Sequence, residues 1–199
     1  ATITDRLVAL SRALIGRIRG GLAQVNVLVS MFFAGMNGSV VADTATVGAL
    51  VLPAMKKAGY PAAFSAAVTG VSSTIGGIIP PSIMMIVLAN ATEISIASLF
   101  AAGIVPGILI GVVIMVINHY FAVKYNFERS DEPFSVRRAG KELYRSSFAL
   151  LIPLVLVGSV MGGVASVVEA GAITALVALF TGVFVYRTIK WKDCTGAFR

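Results

Sequence analysis

A chain of 199 residues that is 57% hydrophobic and only 13% charged, with a mean hydropathy of +0.91, is a membrane protein rather than a soluble globule. The net charge of +7 would point to nucleic acid in a soluble chain, but here the basic residues stand in short clusters between apolar runs, where they act as topology signals, so nucleic acid is excluded as a partner. The single cysteine, Cys194, excludes an internal disulfide and sits in a polar tail that suits a reducing compartment.

Residues 1–20 carry neither the apolar core nor the cleavage site of a signal peptide, and the chain reads as starting internally. Thr4 is a candidate N-cap, and Leu7, Leu10, Leu14 and Ile18 recur at helical spacing, which predicts an interfacial helix along the membrane surface. The apolar run that follows, 22–55, is interrupted at Gly35-Met36-Asn37-Gly38-Ser39-Val40-Val41-Ala42-Asp43. It is too long for one span of about 20 residues and too short for two spans and a loop. A re-entrant helical hairpin over 21–56 fits that length, with a tip whose unpaired backbone must line a cavity or be buried in protein.

After Gly59-Tyr60-Pro61, a second apolar run is broken at Ser72-Ser73-Thr74-Ile75-Gly76-Gly77-Ile78-Ile79-Pro80-Pro81-Ser82. Two glycines followed by two prolines cannot continue an α-helix, so residues 59–91 read as a discontinuous helix. A transmembrane helix follows over 94–123, either whole or as two pieces hinged between Gly103 and Pro106-Gly107. Residues 124–147 are polar, and Arg137, Arg138, Lys141 and Arg145 favour a cytoplasmic interfacial helix. Two more transmembrane helices fill 148–190, the second opened by the S-x-x-E capping box Ser166-Val167-Val168-Glu169. The fold class is therefore an all-α integral membrane protein, a single membrane domain over 1–199.

The positive-inside rule tests this layout. All 16 Lys and Arg fall before the hairpin, just after it at Lys56 and Lys57, within 124–145, or in the C-terminal tail. The two loops assigned outside, near Thr92 and Gly163, have none. Were the hairpin a single span, Lys56 and Lys57 would lie outside and the pattern would fail.

Helix ends facing one another at mid-membrane offer free carbonyls to a cation and free N–H groups to a carboxylate. The hairpin tip supplies Asn37, Gly38 and Ser39, and the second break supplies Ser72, Ser73, Thr74 and Gly76. Hard oxygen donors without a Cys or His cluster suit Na⁺; the alternative is that Gly and Ser only permit close helix packing. Asp43, Pro80, Pro81 and Ser82 are read as support for the tip and the substrate, Asp43 by interaction with a helix start, with direct ion contact as its alternative. Glu169 is accounted for by the capping box. His119, Tyr125, Tyr186 and Trp191 read as interface anchors, and a Ser39–His119 dyad for intramembrane hydrolysis fits by residue type alone.

Gly20-Gly21-Leu22-Ala23-Gln24-Val25-Asn26-Val27, Asn37-Gly38-Ser39-Val40-Val41-Ala42-Asp43, Pro53-Ala54-Met55-Lys56-Lys57-Ala58-Gly59-Tyr60, Ser72-Ser73-Thr74-Ile75-Gly76 with Ile78-Ile79-Pro80-Pro81-Ser82-Ile83, and Gly103-Ile104-Val105-Pro106-Gly107 occur in the order found in the large membrane subunit of TRAP (tripartite ATP-independent periplasmic) transporters, DctM-like, which the chain resembles over nearly its whole length. Asn37 stands where many members have Ser, and Gly77 where many have Pro. The resemblance implies a multi-pass secondary transporter of the bacterial or archaeal inner membrane, driven by Na⁺ as coupling ion and not an enzyme. Its organic-acid substrate, of the C4-dicarboxylate or sialic-acid type, would come from a periplasmic substrate-binding protein, and a small membrane subunit would be a further partner in the lipid bilayer. It also implies one half of an inverted-repeat transporter fold, with Na⁺ and substrate at the tip and the facing break. A non-transporting membrane scaffold or intramembrane hydrolase is the alternative.

Overall fold

A computed structural model describes residues 3–15, 18–127 and 135–185. Arg17, Arg129, Tyr186, Trp191, Cys194 and the basic residues of the C-terminal tail lie outside the described residues. The described residues are helical throughout, with no strand among them. Helix α1, Ile3–Ile15, starts one residue ahead of the Thr4 proposed as its cap. Leu7, Leu10, Ser11, Ala13 and Ile15 are buried, because α1 packs against α2, Gly21–Asn37, and α7, Val136–Met161, while Arg12 and Leu14 stay exposed.

Helix α2 ends at Gly38, whose φ of 59° is left-handed, and α3, Val40–Lys57, begins after Ser39, whose side chain accepts from the Ala42 N–H. A left-handed residue followed by an extended N-cap reverses the chain in two residues. The arms run antiparallel: seventeen and eighteen residues long, they meet again near their far ends, where the Asn26 amide lies 3.6 Å from Met55 Sδ. The base of this hairpin is fixed to the end of α6, Ile96–Lys124. Arg19 donates to Asn126 at 3.1 Å, the Tyr60 and Phe127 rings are 4.7 Å apart, and Gln24 donates to the Met115 carbonyl at 2.8 Å. Arg19, the Lys56–Lys57 pair and Lys124 thus gather at one end of the molecule.

Helix α4, Ala62–Ser73, tightens into a 3₁₀ turn at Thr74–Gly77, leaves helical geometry through a cis Pro80–Pro81 bond, and α5 resumes at Ile83–Thr92 with Ser82 as N-cap. Helix α6 is one continuous element of 29 residues, not two pieces hinged at Gly103 to Gly107. Pro106 does forfeit a bond to the Ala102 carbonyl, but Gly103 and Gly107 face the break, and packing there holds the helix through the proline. A Cβ on Gly103 would lie 2.5 Å from the Ile78 carbonyl oxygen, and one on Gly107 would overlap Ile79 Cγ1.

Helix α7 likewise runs unbroken over 26 residues, joining the basic segment to the apolar one where the sequence suggested a boundary at 147/148. Ser146 and Ser147 do not interrupt it: Ser147 returns its proton to the Tyr144 carbonyl and Ser146 donates to the Arg6 carbonyl of α1. Helix α8, Val167–Phe180, is opened by the complete capping box of Ser166 and Glu169 and closes in a π turn, Thr181–Val185. The larger core joins α1, the hairpin, α4 and α6 around Leu7, Val27, Val47, Met55 and Ile75; a smaller one joins α6, α7 and α8 at Phe100, Val160 and Ala170. By length and composition two helices could cross a membrane, α6 and α7, with hydropathies of 2.7 and 1.7. Their outer faces expose Val105, Leu109, Val116 and Leu154, which suits lipid rather than water.

Candidate functional site

The hairpin tip and the second break abut. The Ile83 N–H donates to the Gly38 carbonyl at 3.1 Å, and a Cβ on Gly38 would overlap the Pro81 carbonyl oxygen and come within 3.3 Å of Ile83 N. A Cβ on Gly76 would sit 3.6 Å from the Ser39 carbonyl group. Gly38 is therefore glycine for two reasons, a left-handed backbone and a neighbour where a methyl group would go. Two helix C-termini, those of α2 and of the 3₁₀ turn, and two N-termini, those of α3 and α5, converge here. Unsatisfied carbonyls and N–H groups, with the partial charges they carry, meet in one place.

Of the residues singled out in the sequence, Gly38, Ser39, Gly76 and Pro81 are brought together at this junction, with half-buried Asn37 closing α2 beside it. Pro80, Pro81 and Ser82 are buried. Ser82 braces the break from within, since it donates to the Gly77 carbonyl at 2.8 Å, closing the loop, and caps α5 through the Met85 N–H. Ser72 and Ser73 lie one level below, fully buried. Thr74 does not join them; it is exposed, and its hydroxyl donates to the Val71 carbonyl at 2.7 Å.

Beneath the tip runs a buried polar column. The Asn26 amide donates to Thr69 Oγ1 at 2.8 Å, Ser72 Oγ donates to Asn26 Oδ1 at 3.3 Å, and Ser30 Oγ lies 3.2 Å from Ser72 Oγ. Asn26, Ser30 and Thr69 did not stand out in the sequence as site residues, because each is a lone polar residue in an apolar run. The available signal is their spacing: Asn26 and Ser30 four apart on α2, and Ser65, Thr69, Ser72 and Ser73 at helical intervals on α4.

The column ends at Asp43. Its side chain is fully buried, and neither carboxylate oxygen has a hydrogen-bond partner. The hydroxyls of Ser73 and Ser30 are its polar neighbours; Ser73 donates to the Thr69 carbonyl at 2.8 Å, and Ser30 shares a hydrogen bond with Ser72. No Lys, Arg or His occurs in α2, α4 or the 3₁₀ turn, the elements packed around it. A buried carboxylate without a partner costs several kcal/mol unless something neutralises it. The donors around it are all oxygens, and among the described residues no group of three or more His, Cys, Asp or Glu could hold a metal ion.

Ser39 and His119 do not form a dyad. Gly103 packs at the break, whereas His119 lies sixteen residues further along α6, about 24 Å at 1.5 Å per residue, beside the hairpin base. The side chain of His119 is exposed.

The family model for the DctM component of tripartite ATP-independent periplasmic transporters matches residues 1–199. The C4-dicarboxylate TRAP transporter large permease protein DctM of Pseudomonas aeruginosa is 36% identical over 96% of this chain and 45% of its own length. The sialic acid TRAP transporter permease protein SiaT of Haemophilus influenzae is 36% identical over 96% of this chain and 31% of its own length. The 2,3-diketo-L-gulonate TRAP transporter large permease protein YiaN of Escherichia coli is 36% identical over 98% of this chain and 47% of its own length. The chain thus spans less than half the length of these relatives, all of which are named as transporter permeases rather than enzymes. It belongs to the DctM component family of the tripartite ATP-independent periplasmic transporters.

Proposed function

We propose that this chain is the hairpin-bearing half of the large membrane subunit of a Na⁺-driven secondary transporter for organic acids, acting in the cytoplasmic membrane with a small membrane subunit and a periplasmic substrate-binding protein. The observation that carries the reading is the junction of Gly38 with Pro81 and Ile83. Carbonyl-bearing helix C-termini and N–H-bearing helix N-termini converge there above the buried Asp43, whose carboxylate oxygens have no hydrogen-bond partner. A carbonyl oxygen has two lone pairs, so Gly38 and Gly77, each accepting one hydrogen bond, keep capacity for a cation. Asn37, Gly38, Ser39 and Gly76 are the tip residues assigned to Na⁺. Ser72 and Ser73 hold the layer beneath, and Asp43 supplies the compensating charge. Pro81, Ser82 and the α5 start face the substrate, whose carboxylate suits a helix N-terminus. The C4-dicarboxylate, sialic acid and 2,3-diketo-L-gulonate in the names of these three relatives carry a carboxylate, and the isethionate in the name of a further relative carries a sulfonate, an anion that a helix N-terminus suits equally.

The test is uptake of a radiolabelled organic acid into proteoliposomes that hold the full-length subunit with its partners. An inward Na⁺ gradient should drive accumulation, and a K⁺ gradient should not. Asp43→Asn should raise the Na⁺ concentration for half-maximal uptake at least threefold. Equal uptake with K⁺ removes Na⁺ coupling, and an unchanged Na⁺ dependence in Asp43→Asn removes Asp43 from the site.

A further inference from the structure

One basic surface is left over by the transport reading. Helix α7 begins with ten residues, 136–145, that carry Arg137, Arg138, Lys141 and Arg145 against a single acid, Glu142. Glu142 is engaged by Arg145 at 3.2 Å. Arg137 and Lys141 are both exposed. Interleaved with them, Val136, Leu143 and Tyr144 are 75%, 52% and 82% exposed. The same helix continues without a break into its apolar part, and Ser146, Ala149 and Ile152 anchor that part in the protein by their burial, Ser146 through its bond to α1. The basic segment is thereby held in a fixed place, one turn before the apolar part of α7 that starts at Phe148. The end of α6 presents matching chemistry. Tyr120 and Tyr125 are 62% and 58% exposed, and Lys124 Nζ lies 6.0 and 5.8 Å from their ring centroids.

We propose that the 136–145 segment of α7, with the Tyr120–Lys124–Tyr125 belt at the end of α6, is a docking surface for anionic phospholipid headgroups. The apolar side chains select a bilayer, since exposing Val136, Leu143 and Tyr144 together to water is unfavourable and inserting them at the acyl boundary is not. The excess of Lys and Arg selects the sign of the headgroup, because a zwitterionic phosphate brings its own cation and an anionic one does not. A Lys or Arg near an anionic leaflet contributes about 1 kcal/mol. Charge complementarity favours this occupant over a protein partner, which would need a matching acidic apolar face. The inference rests on membership of a membrane transporter family and is independent of Na⁺ coupling.

The experiment uses the purified full-length subunit with its membrane partner in phosphatidylcholine bilayers, with trace spin-labelled phosphatidylglycerol or phosphatidylcholine read by electron paramagnetic resonance. At low salt the protein should retain the phosphatidylglycerol label about threefold or more over phosphatidylcholine, a preference that salt weakens by screening. The Arg137→Gln/Lys141→Gln variant should lose at least half of that preference with an unchanged thermal midpoint. Glu142→Gln, which removes the one acid of the 136–145 segment, should increase it. Equal retention of both labels by the unaltered protein overturns the proposal, as does a double variant that stays fully selective. A double variant that keeps its lipid preference but loses its membrane partner also overturns it, and gives the surface to protein instead. None of these readouts passes through transport, so failure of the Na⁺ reading would leave them intact.

Discussion

Gly38→Ala is the substitution that separates a backbone-built ion site from a side-chain-built one. At φ 59° an alanine incurs about 1 kcal/mol of backbone strain relative to glycine. Its methyl group would also overlap the Pro81 carbonyl oxygen and sit 3.3 Å from Ile83 N. Overpacking of that kind typically costs about 1–3 kcal/mol, relieved here only by moving the tip away from the break. If that junction holds the coupling ion, a loss of about 1.4 kcal/mol in binding raises the half-saturating Na⁺ concentration roughly tenfold for one ion. Ser39→Ala provides the comparison. The cap bond from Ala42 N is long, 3.4 Å, so its loss should sit near the low end for caps, about 0.5 kcal/mol, and shift Na⁺ dependence only about twofold. Gly38→Asn divides the two causes further, because asparagine tolerates the left-handed region but still brings a Cβ. Contact with Pro81 predicts that it behaves like alanine. The assay is Na⁺-dependent uptake in proteoliposomes, with membrane protein levels and thermal midpoint measured alongside. Wild-type Na⁺ dependence in Gly38→Ala at normal protein levels would falsify the reasoning, as would a larger effect from Ser39→Ala.

The antiparallel hairpin, with its base tied to α6 by the Arg19–Asn126 bond and the Tyr60–Phe127 contact, predicts that cysteines placed at Arg19 and Lys57 in a Cys194→Ala background are labelled from the same side by an impermeant thiol reagent; labelling from opposite sides removes re-entry. Gly107→Leu should lower the thermal midpoint in detergent, with a loss of about 1–3 kcal/mol from forcing a side chain into Ile79, whereas Gly171→Leu, whose Cβ would meet nothing within 4 Å, should leave it nearly unchanged. Asn26→Leu removes the donor to Thr69 and the acceptor for Ser72. Thr69 and Ser72 keep their bonds to the Ser65 and Thr69 carbonyls, so the loss should be that of ordinary hydrogen bonds, about 0.5–1.5 kcal/mol each, and a variant as stable as the parent in chemical denaturation would show that the polar column adds no stability.

The apolar composition, the lack of any strand pattern, the two helix interruptions and the Ser166–Glu169 cap were legible in the sequence, because each depends on interactions within a few residues: the left-handed turn at Gly38, the missing N–H groups of Pro80 and Pro81, the reciprocal bonds of a capping box. Even the grouping of Lys and Arg anticipated that Arg19, Lys56, Lys57 and Lys124 share one end. What is decided at long range was not legible. Nothing in the local sequence says that Ile83 will donate to Gly38, forty-five positions earlier, or that Gly103 and Gly107 are small because the break packs against them. Pro106 between those glycines left a whole helix and a hinged pair both open, and α6 is whole. The amphipathic spacing of α1 was visible in the sequence, but not that α2 and α7 are the elements its buried residues pack against. Asp43 shows the same division. Its position in the first turn of α3 was visible in the sequence, and a helix start would have been reason enough for it. Its burial beside Ser30 and Ser73 was not visible, because that is decided only when α2, α3 and α4 are packed together.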